Sequence, residues 1–377
     1  MNILVIFTYG VSLRMWNNQG LMSREFALYE KLLEEDSNLN FTFLTFGNAD
    51  DIKVLKSSRY KNFKVIPIYE HISHSNIKLI NFIKTIRFAF KFKSYEDTSF
   101  DLIKTNQLNG SWIGILISKL IKARLIIRTG FSPYLFARYG KQSLLKIFFF
   151  KLLTKISIKH SSLFTVTSEY EKSKLVSLLN VKNSKIRIRS NWIFYDEYEG
   201  LNNRLQDVVL AVGRLEDQKN YQNLVKKLSN SKIGLDIVGE GSLKNEIENL
   251  ANLNNVNLNL LGSFDNNDLR SLYKKYKYYV IFSKYEGNSK SVKEALAAGC
   301  VVISNKIPSL SEIVKNEVNG VTIDIDQESL VDVINELNNN NELADKLSFN
   351  AFKSVEKFSL DNYAKNELDD YLRLKKL

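Results

Sequence analysis

The sequence predicts an α/β protein built from two doubly wound parallel sheets, one after the other. Three observations predict it. The chain has 377 residues, more than one ordinary core accommodates. Short apolar, β-branched runs alternate with amphipathic helical patterns along its length. The alternation lapses once, between Ser190 and Asn203, and then resumes. The domains expected are therefore 1–198 and 199–360, with 361–377 as a final amphipathic helix that crosses back to the first domain. Hydrophobic residues make up 44% of the chain, enough for a core in each half.

The strand candidates of the first half are 3–7, 41–45, 65–68, 101–104, 125–128, 163–166 and 186–189, with helical periodicity at 23–35 and 110–121. Residues 9–20 read as a long loop after the first strand. In the second half the strands are 208–212, 235–238, 256–261, 279–282 and 301–304, separated by helices at 221–228, 242–250, 265–276 and 289–298. Open sheets of this kind bind ligands beyond the carboxyl ends of their strands, so a cleft between the two is the expected site.

Composition narrows the class. One cysteine, Cys300, excludes an intrachain disulfide, suits a reducing compartment and fits a small core position. The apolar start at 1–7 carries no basic leader or small-residue cleavage site and reads as a buried strand. No run reaches the roughly 18 apolar residues of a spanning helix. Low-complexity sequence is confined to the Asn-rich run at 338–341. The net charge of +12 is uneven: 1–200 carries +14, 201–377 carries −2, and 71–160 alone carries +13. Such a patch implies an anionic partner. Nucleic acid is disfavoured because no helix-turn-helix, zinc-finger or RNA-recognition signature is present. Bulky apolar residues interleaved with Lys and Arg over 79–93 and 138–159 suit helices lying in an anionic membrane surface, although the same pattern describes any amphipathic helix with a solvated basic face. The expected location is cytoplasmic, peripheral on the inner face of the plasma membrane.

The strongest chemical signal is Glu286-Gly287-Asn288-Ser289-Lys290-Ser291-Val292-Lys293-Glu294-Ala295-Leu296-Ala297-Ala298-Gly299. It follows a strand and opens a helix. Gly287, Asn288, Ser289 and Lys290 make a polar turn whose N–H groups can face an anion at the helix N-terminus. Glu286 and Glu294 lie about two helical turns apart and can reach different parts of one elongated ligand. A second signal, Gly213-Arg214-Leu215-Glu216-Asp217-Gln218-Lys219-Asn220, ends the first strand of the second half. Arg214 offers a fork of donors and Lys219 a compact charge, both suited to a diphosphate. Val238-Gly239-Glu240-Gly241 and Leu261-Gly262-Ser263-Phe264 also follow strands and suit tight turns.

These segments resemble retaining glycosyltransferases, notably family 4 of the GT-B fold, with its E-x7-E signature. The resemblance is firm over 208–320 and loose over 1–190. It implies transfer of a sugar from a nucleoside-diphosphate sugar to a saccharide acceptor, expected to be lipid-linked. Carried over, Glu286 contacts the donor sugar and Glu294 the ribose, while the turn of Gly287, Asn288, Ser289 and Lys290 lies against sugar and diphosphate. Arg214 and Lys219 stabilise the leaving diphosphate, making Glu286, Arg214 and Lys219 the catalytic set. Gly213, Gly239, Ser263 and Phe264 complete the donor side, the last two at the base, and Gly20 would let the first-domain backbone approach the phosphates. Strand ends and the first loop offer Trp16, Asn106, Gln107 and Arg128 as acceptor-side residues.

Many family members carry a histidine in the first domain. Here His71, His74 and His160 fall at no obvious equivalent, which removes a His-assisted acceptor step from the expectation. Asp324-Ile325-Asp326 looks like a metal-binding Asp-x-Asp but falls in a strand-to-helix connection, and the fold implied uses cationic side chains and a helix end instead. No metal or other cofactor is expected. The abundance of Asn, Lys and Ile suits a bacterial sequence, with cell-surface polysaccharide synthesis (lipopolysaccharide or capsule) as the setting. Two rivals share the architecture: a nucleotide-sugar 2-epimerase and a non-catalytic membrane-associated subunit.

Overall fold

Thirteen parallel strands in two sheets account for the framework of the computed structural model, which describes residues 1–376. The first sheet has the order β3-β2-β1-β4-β5-β6-β7, from β1 (Asn2–Ile6), β2 (Asn40–Thr45), β3 (Lys64–Pro67), β4 (Leu102–Thr105), β5 (Arg124–Arg128), β6 (Leu163–Val166) and β7 (Ile186–Ile188). The second has the order β10-β9-β8-β11-β12-β13, from β8 (Leu205–Val212), β9 (Gly234–Val238), β10 (Leu258–Gly262), β11 (Tyr276–Ile281), β12 (Val301–Asn305) and β13 (Val321–Ile323). Helices join successive strands, as parallel pairing requires. In each sheet the strand order reverses once, beside β1 and beside β8, which places a ligand-sized crevice at the carboxyl ends there.

The chain divides into two compact units, Met1–Ser190 with Asp361–Leu377, and Asn191–Leu360. The expected boundary at 198 is too late. Ile193 is fully buried in the second unit's core beside Tyr273 and Tyr276, and its N–H donates to the Phe358 carbonyl at 2.9 Å, so the segment after Ser190 already belongs to that unit.

In the first unit, the four residues 3–6 are fully buried and helices cover both faces of the sheet. The loop expected at 9–20 contains a helix, α1 (Leu13–Asn18), started by Ser12, whose side chain accepts the Met15 N–H. Trp16 on α1 is buried and stacks on Phe7 with ring centroids 4.0 Å apart. It is a core residue and not an acceptor contact; an indole beside two phenylalanines gains more from burial than from the loop surface. The next helix, α2 (Met22–Glu35), turns Phe26, Tyr29 and Leu32 inward, where Phe26 and Tyr29 pack edge-on against Phe43 of β2. Further on, α3 (Lys78–Phe90) and α5 (Leu144–His160) both pack against α4 (Ser111–Ile121).

The second sheet is buried on both faces. Val209, Ala211, Tyr278 and Val280 point to one core, Leu210, Tyr279 and Ile281 to the other. Its site helix is α6 (Lys290–Ala297). The last helix, α7 (Leu360–Lys375), buries Glu367 and Asp370 in the first unit. Glu367 receives the Lys104 ammonium of β4 and the Tyr371 hydroxyl; Asp370 is paired with Arg187 of β7 and with Arg189, whose Nε lies 2.7 Å away.

The turns after β8 and β9 touch through their backbones. A Cβ on Gly239 would lie 2.0 Å from the Gly213 carbonyl oxygen, and Gly239 adopts φ +146°, a region closed to other residues. Gly239→Ala is expected to cost about 2–4 kcal/mol from strain and overlap together. The measurement is the thermal transition of the second unit; an unchanged midpoint would show that the two turns can separate.

Candidate active site

The reversal beside β8 puts two turns next to each other within the second unit: 213–220 after β8 and 283–289 after β11. They are stitched together. The Lys284 N–H donates to the Gln218 carbonyl at 2.9 Å, and the Gln218 side chain donates to the Tyr285 carbonyl at 2.9 Å. Asn220 takes the left-handed conformation (φ +55°) that an asparagine tolerates, closing the first turn ahead of the helix at Tyr221–Lys227.

This stitching brings together the residues read as catalytic. Lys219 Nζ lies 2.5 Å from a Glu286 carboxylate oxygen, and the same oxygen accepts the Ser283 hydroxyl at 2.8 Å. Both partners are largely buried, so the pair is fixed in place and little screened by solvent. Arg214, by contrast, is exposed and enters no ion pair among the described residues. It stands on the same turn as Lys219, which is held in the buried pair with Glu286. Gly213 lies against Lys219: a Cβ there would meet Lys219 Cε at 2.7 Å.

Gly287, Asn288 and Ser289 are buried ahead of α6, with Ser289 as its N-cap. No side chain caps the first turn of α6, which leaves its N–H groups to other acceptors. Asn288 does not offer its side chain to that space. Its Oδ1 accepts from Lys293 and from the Asn191 N–H (3.3 Å), so its carboxamide is turned into the unit. Lys290 Nζ stands 4.9 Å from the centre of the Trp192 ring and 3.3 Å from Glu294. Glu294 also receives the Tyr273 hydroxyl at 3.5 Å and lines a hollow with Phe194, Asp196, Arg270 and Tyr273. Burial, and then the Glu294 charge, push the Tyr273 hydroxyl well above its ordinary value, so it stays a donor. Ser263 and Phe264 are exposed just past β10, and Gly239 ends β9 against Gly213.

The first-unit candidates fare differently. Gly20 is exposed with φ +66° and closes the turn between α1 and α2, donating to the Asn17 carbonyl at 3.1 Å. Asn106 and Gln107 are half-buried at the end of β4. Gln107 accepts the Gly130 N–H at 2.7 Å and so braces the neighbouring strand end. Arg128 is not an open acceptor contact: its guanidinium donates to the Asn106 carbonyl (3.3 Å) and is bound to Tyr363 of α7 in the field of Glu25 and Glu367. The Tyr363 hydroxyl and the nearby charges of Glu25 and Glu367 hold the cation within the first unit.

Sequence reasoning missed Ser283, Asn191, Trp192 and Lys293. Lys293 was legible: it follows Val292 and precedes Leu296 by three, on the apolar side of α6. Asp324 and Asp326 lie in the turn after β13, where an Asp324 oxygen accepts the Asp326 N–H at 3.0 Å. Among the described residues no helix is long and apolar enough to cross a membrane.

Comparison with known proteins bears on this site directly. Residues 199–354 match the family described as Glycosyl transferases group 1, a span that holds Arg214, Lys219, Glu286 and Glu294. An uncharacterized glycosyltransferase of Methanocaldococcus jannaschii is 26% identical over 346 residues, covering 88% of this chain and 89% of the relative. An N-acetylgalactosamine-N,N'-diacetylbacillosaminyl-diphospho-undecaprenol 4-alpha-N-acetylgalactosaminyltransferase of Campylobacter jejuni is 28% identical over 222 residues, covering 55% of this chain and 58% of the relative. Among solved structures, Anabaena HepE in complex with UDP superposes with a TM-score of 0.73 at 14% identity, over 99% of this chain and 100% of that one. At that identity the likeness establishes the fold, which is that of GT-B glycosyltransferases. The match over residues 199–354, together with the glycosyltransferase relatives, makes the chain a glycosyltransferase.

Proposed function

We propose that the chain moves a sugar from a nucleoside-diphosphate sugar to a lipid-linked saccharide acceptor, with retention of anomeric configuration, as a family 4 enzyme using Glu286 and Glu294 as its E-x7-E pair. The observation that carries this reading is the junction of the two turns: Lys219 locked to Glu286, with exposed Arg214 and the N-terminus of α6 beside it. Glu286 holds a hydroxyl of the donor sugar. Arg214, Lys219 and the N-terminus of α6 take up charge as the bond between the anomeric carbon and the diphosphate oxygen breaks. The acceptor oxygen attacks from the same face, and its proton passes to the departing phosphate oxygen. Glu294, held by Tyr273 and Lys290, orients the ribose, and Ser263 and Phe264 stand at the base. Gly20, Asn106 and Gln107 remain the first-unit candidates for substrate contact. The Campylobacter relative acts on a diphospho-undecaprenol substrate, which supports a lipid-linked acceptor in surface polysaccharide synthesis.

The test is incubation with uridine-, guanosine- and adenosine-diphosphate sugars, with and without membrane lipid extract, followed by mass spectrometry. Nucleotide release and new glycolipid that require extract support the transferase reading and name the sugar. A donor isomerised without extract would replace it with the 2-epimerase, and binding without any turnover with a non-catalytic subunit.

The first unit supports work at an anionic bilayer. Leu79, Ile83 and Phe90 of α3 and Leu144, Leu145 and Phe148 of α5 are exposed, Leu145 to 84%. Both helices flank α4. No acidic residue occurs from Leu102 to Ser168, while Lys146, Lys151, Lys155 and Lys159 line α5. Exposed apolar side chains set among cations are complementary to a phospholipid surface. The protein is expected to sediment with anionic but not neutral vesicles. Reversing Lys146, Lys151 and Lys155 to Glu should weaken binding by about a hundredfold, at about 1 kcal/mol per basic residue. Equal binding to both vesicle types would remove the proposal.

A further inference from the structure

A fully buried lysine sits behind the site, and the transfer chemistry does not use it. Lys293 lies one turn into α6 and has no solvent exposure. No carboxylate stands within ion-pair distance of it among the described residues. Its ammonium donates instead to two neutral oxygens, Oδ1 of Asn288 and the carbonyl of Asn191 (3.1 Å), and lies 3.9 Å from the centre of the Phe358 ring. Helical side chains lean toward their own N-terminus, so Lys293 reaches back beneath the turn that precedes α6.

The contacts interlock. Asn288 Oδ1 accepts from Asn191 N–H as well as from Lys293, and the Asn288 carbonyl accepts the Asn191 side-chain amide at 3.1 Å. Asn191 opens the second unit and Phe358 stands near its end. Lys293 therefore joins three segments of the sequence, and at Asn288, the middle residue of 287–289, two of them are bound to each other. Burial pushes its ammonium well below the ordinary lysine value, with Lys357 adding to the effect. Either protonation state can donate to both oxygens.

A lysine in this setting is costly. Methionine has similar volume, and replacing an uncompensated buried cation by an apolar side chain is commonly neutral or stabilising. A cost retained next to a functional turn points to a role in that turn.

We propose that Lys293 is a positioning residue: by gripping Asn288 and Asn191 together it fixes the backbone of 287–289 in the conformation that receives the donor's diphosphate. The last clause rests on the donor reading above; the grip on the turn does not. Lys293 acts through Asn288 and touches no substrate.

The experiment compares wild type, Lys293→Met, Asn288→Ala and the double variant by hydrogen exchange of the amides at 287–291 without ligand, thermal unfolding, and donor kinetics. Lys293→Met is expected to unfold at the wild-type temperature or above. Its turn amides should exchange at least about tenfold faster, because the local opening is no longer tied to the rest of the unit. The donor KM should rise about tenfold with kcat little changed, the pattern of lost binding geometry. Asn288→Ala should match it, and the double variant should add nothing, as expected of residues acting in one chain of contacts. Wild-type exchange rates in both single variants would overturn the proposal, and so would additive effects. Should Lys293→Met fail to fold, the exchange rates of Asn288→Ala, which keeps the lysine, decide the matter. Should wild type bind no uridine, guanosine or adenosine diphosphate, the donor reading falls, while the exchange data still judge the grip.

Discussion

Glu286→Ala is expected to lower kcat by about a thousandfold while leaving the thermal transitions of the protein within a few degrees of wild type. The carboxylate is the buried acidic group at the junction of the 213–220 and 283–289 turns, and its oxygen gathers the Lys219 ammonium and the Ser283 hydroxyl. Its loss removes the acceptor for the donor sugar and also releases Lys219 from the position set by that pair. Removing a single preorganised polar group from a reaction site commonly costs two to three powers of ten, about 2.7–4 kcal/mol. Glu286→Gln keeps the shape and sheds the charge, so it should retain part of the activity. Affinity for the nucleoside diphosphate should change little in either variant, because Arg214, the α6 N-terminus and Glu294 are intact. Turnover by Glu286→Ala near the wild-type rate would remove Glu286 from the mechanism.

Glu367→Ala should be the most damaging single change to stability, at about 3–5 kcal/mol, since it strands a buried cation. Lys104 is 2% exposed and would be left in the first unit's core without its counter-ion, and the Tyr371 hydroxyl would lose its acceptor. The double change Lys104→Met with Glu367→Leu should recover most of the loss, as apolar pairs replace buried ion pairs at little cost. Burial disfavours the Glu367 charge, but Lys104, Tyr371 and Arg128 outweigh it and hold the carboxyl below its ordinary value. A carboxyl so depressed contributes stability that is complete above the ordinary glutamate value and fades as pH falls through the lower folded one. Acid unfolding of the first unit should therefore set in below about pH 4. In the double variant that acid limb should shrink. Acid unfolding identical in both proteins would show that other carboxylates govern it.

Much of this was readable from residue order because the sheets are parallel and buried. A central strand in such a sheet needs a short run of Val, Ile, Leu or Phe, and those runs stand out; 163–166 was placed to the residue. The Glu286 and Arg214 turns were readable because glycines and charges follow strands there. Three things were not. The helix at Leu13–Asn18 has only six residues and buries Trp16 through contacts with Phe7, which lies in another element. The three-residue strand Val321–Ile323 carries too little pattern to separate from a loop. Arg128 looked like a strand-end cation facing a ligand, but its partner Tyr363 lies over two hundred residues away in sequence. Local pattern cannot report a partner that only the tertiary fold supplies. The same limit hid Lys293, whose spacing on α6 was plain but whose contacts, Asn191 and Phe358, were not.

The path of α7 has a consequence for biosynthesis. The first unit is assembled from the opening half of the chain and from a helix made after the second unit. While the second unit is being synthesised, Lys104, Arg187 and Arg189 have no Glu367 or Asp370 to meet. The nascent first half must persist incomplete through about 170 residues of further elongation, roughly ten to thirty seconds at ordinary translation speeds. The second unit, continuous in sequence, can close as soon as it leaves the ribosome. The order of folding would then run opposite to the order of synthesis: the later unit finishes first, and the earlier one is sealed by a helix that emerges after it.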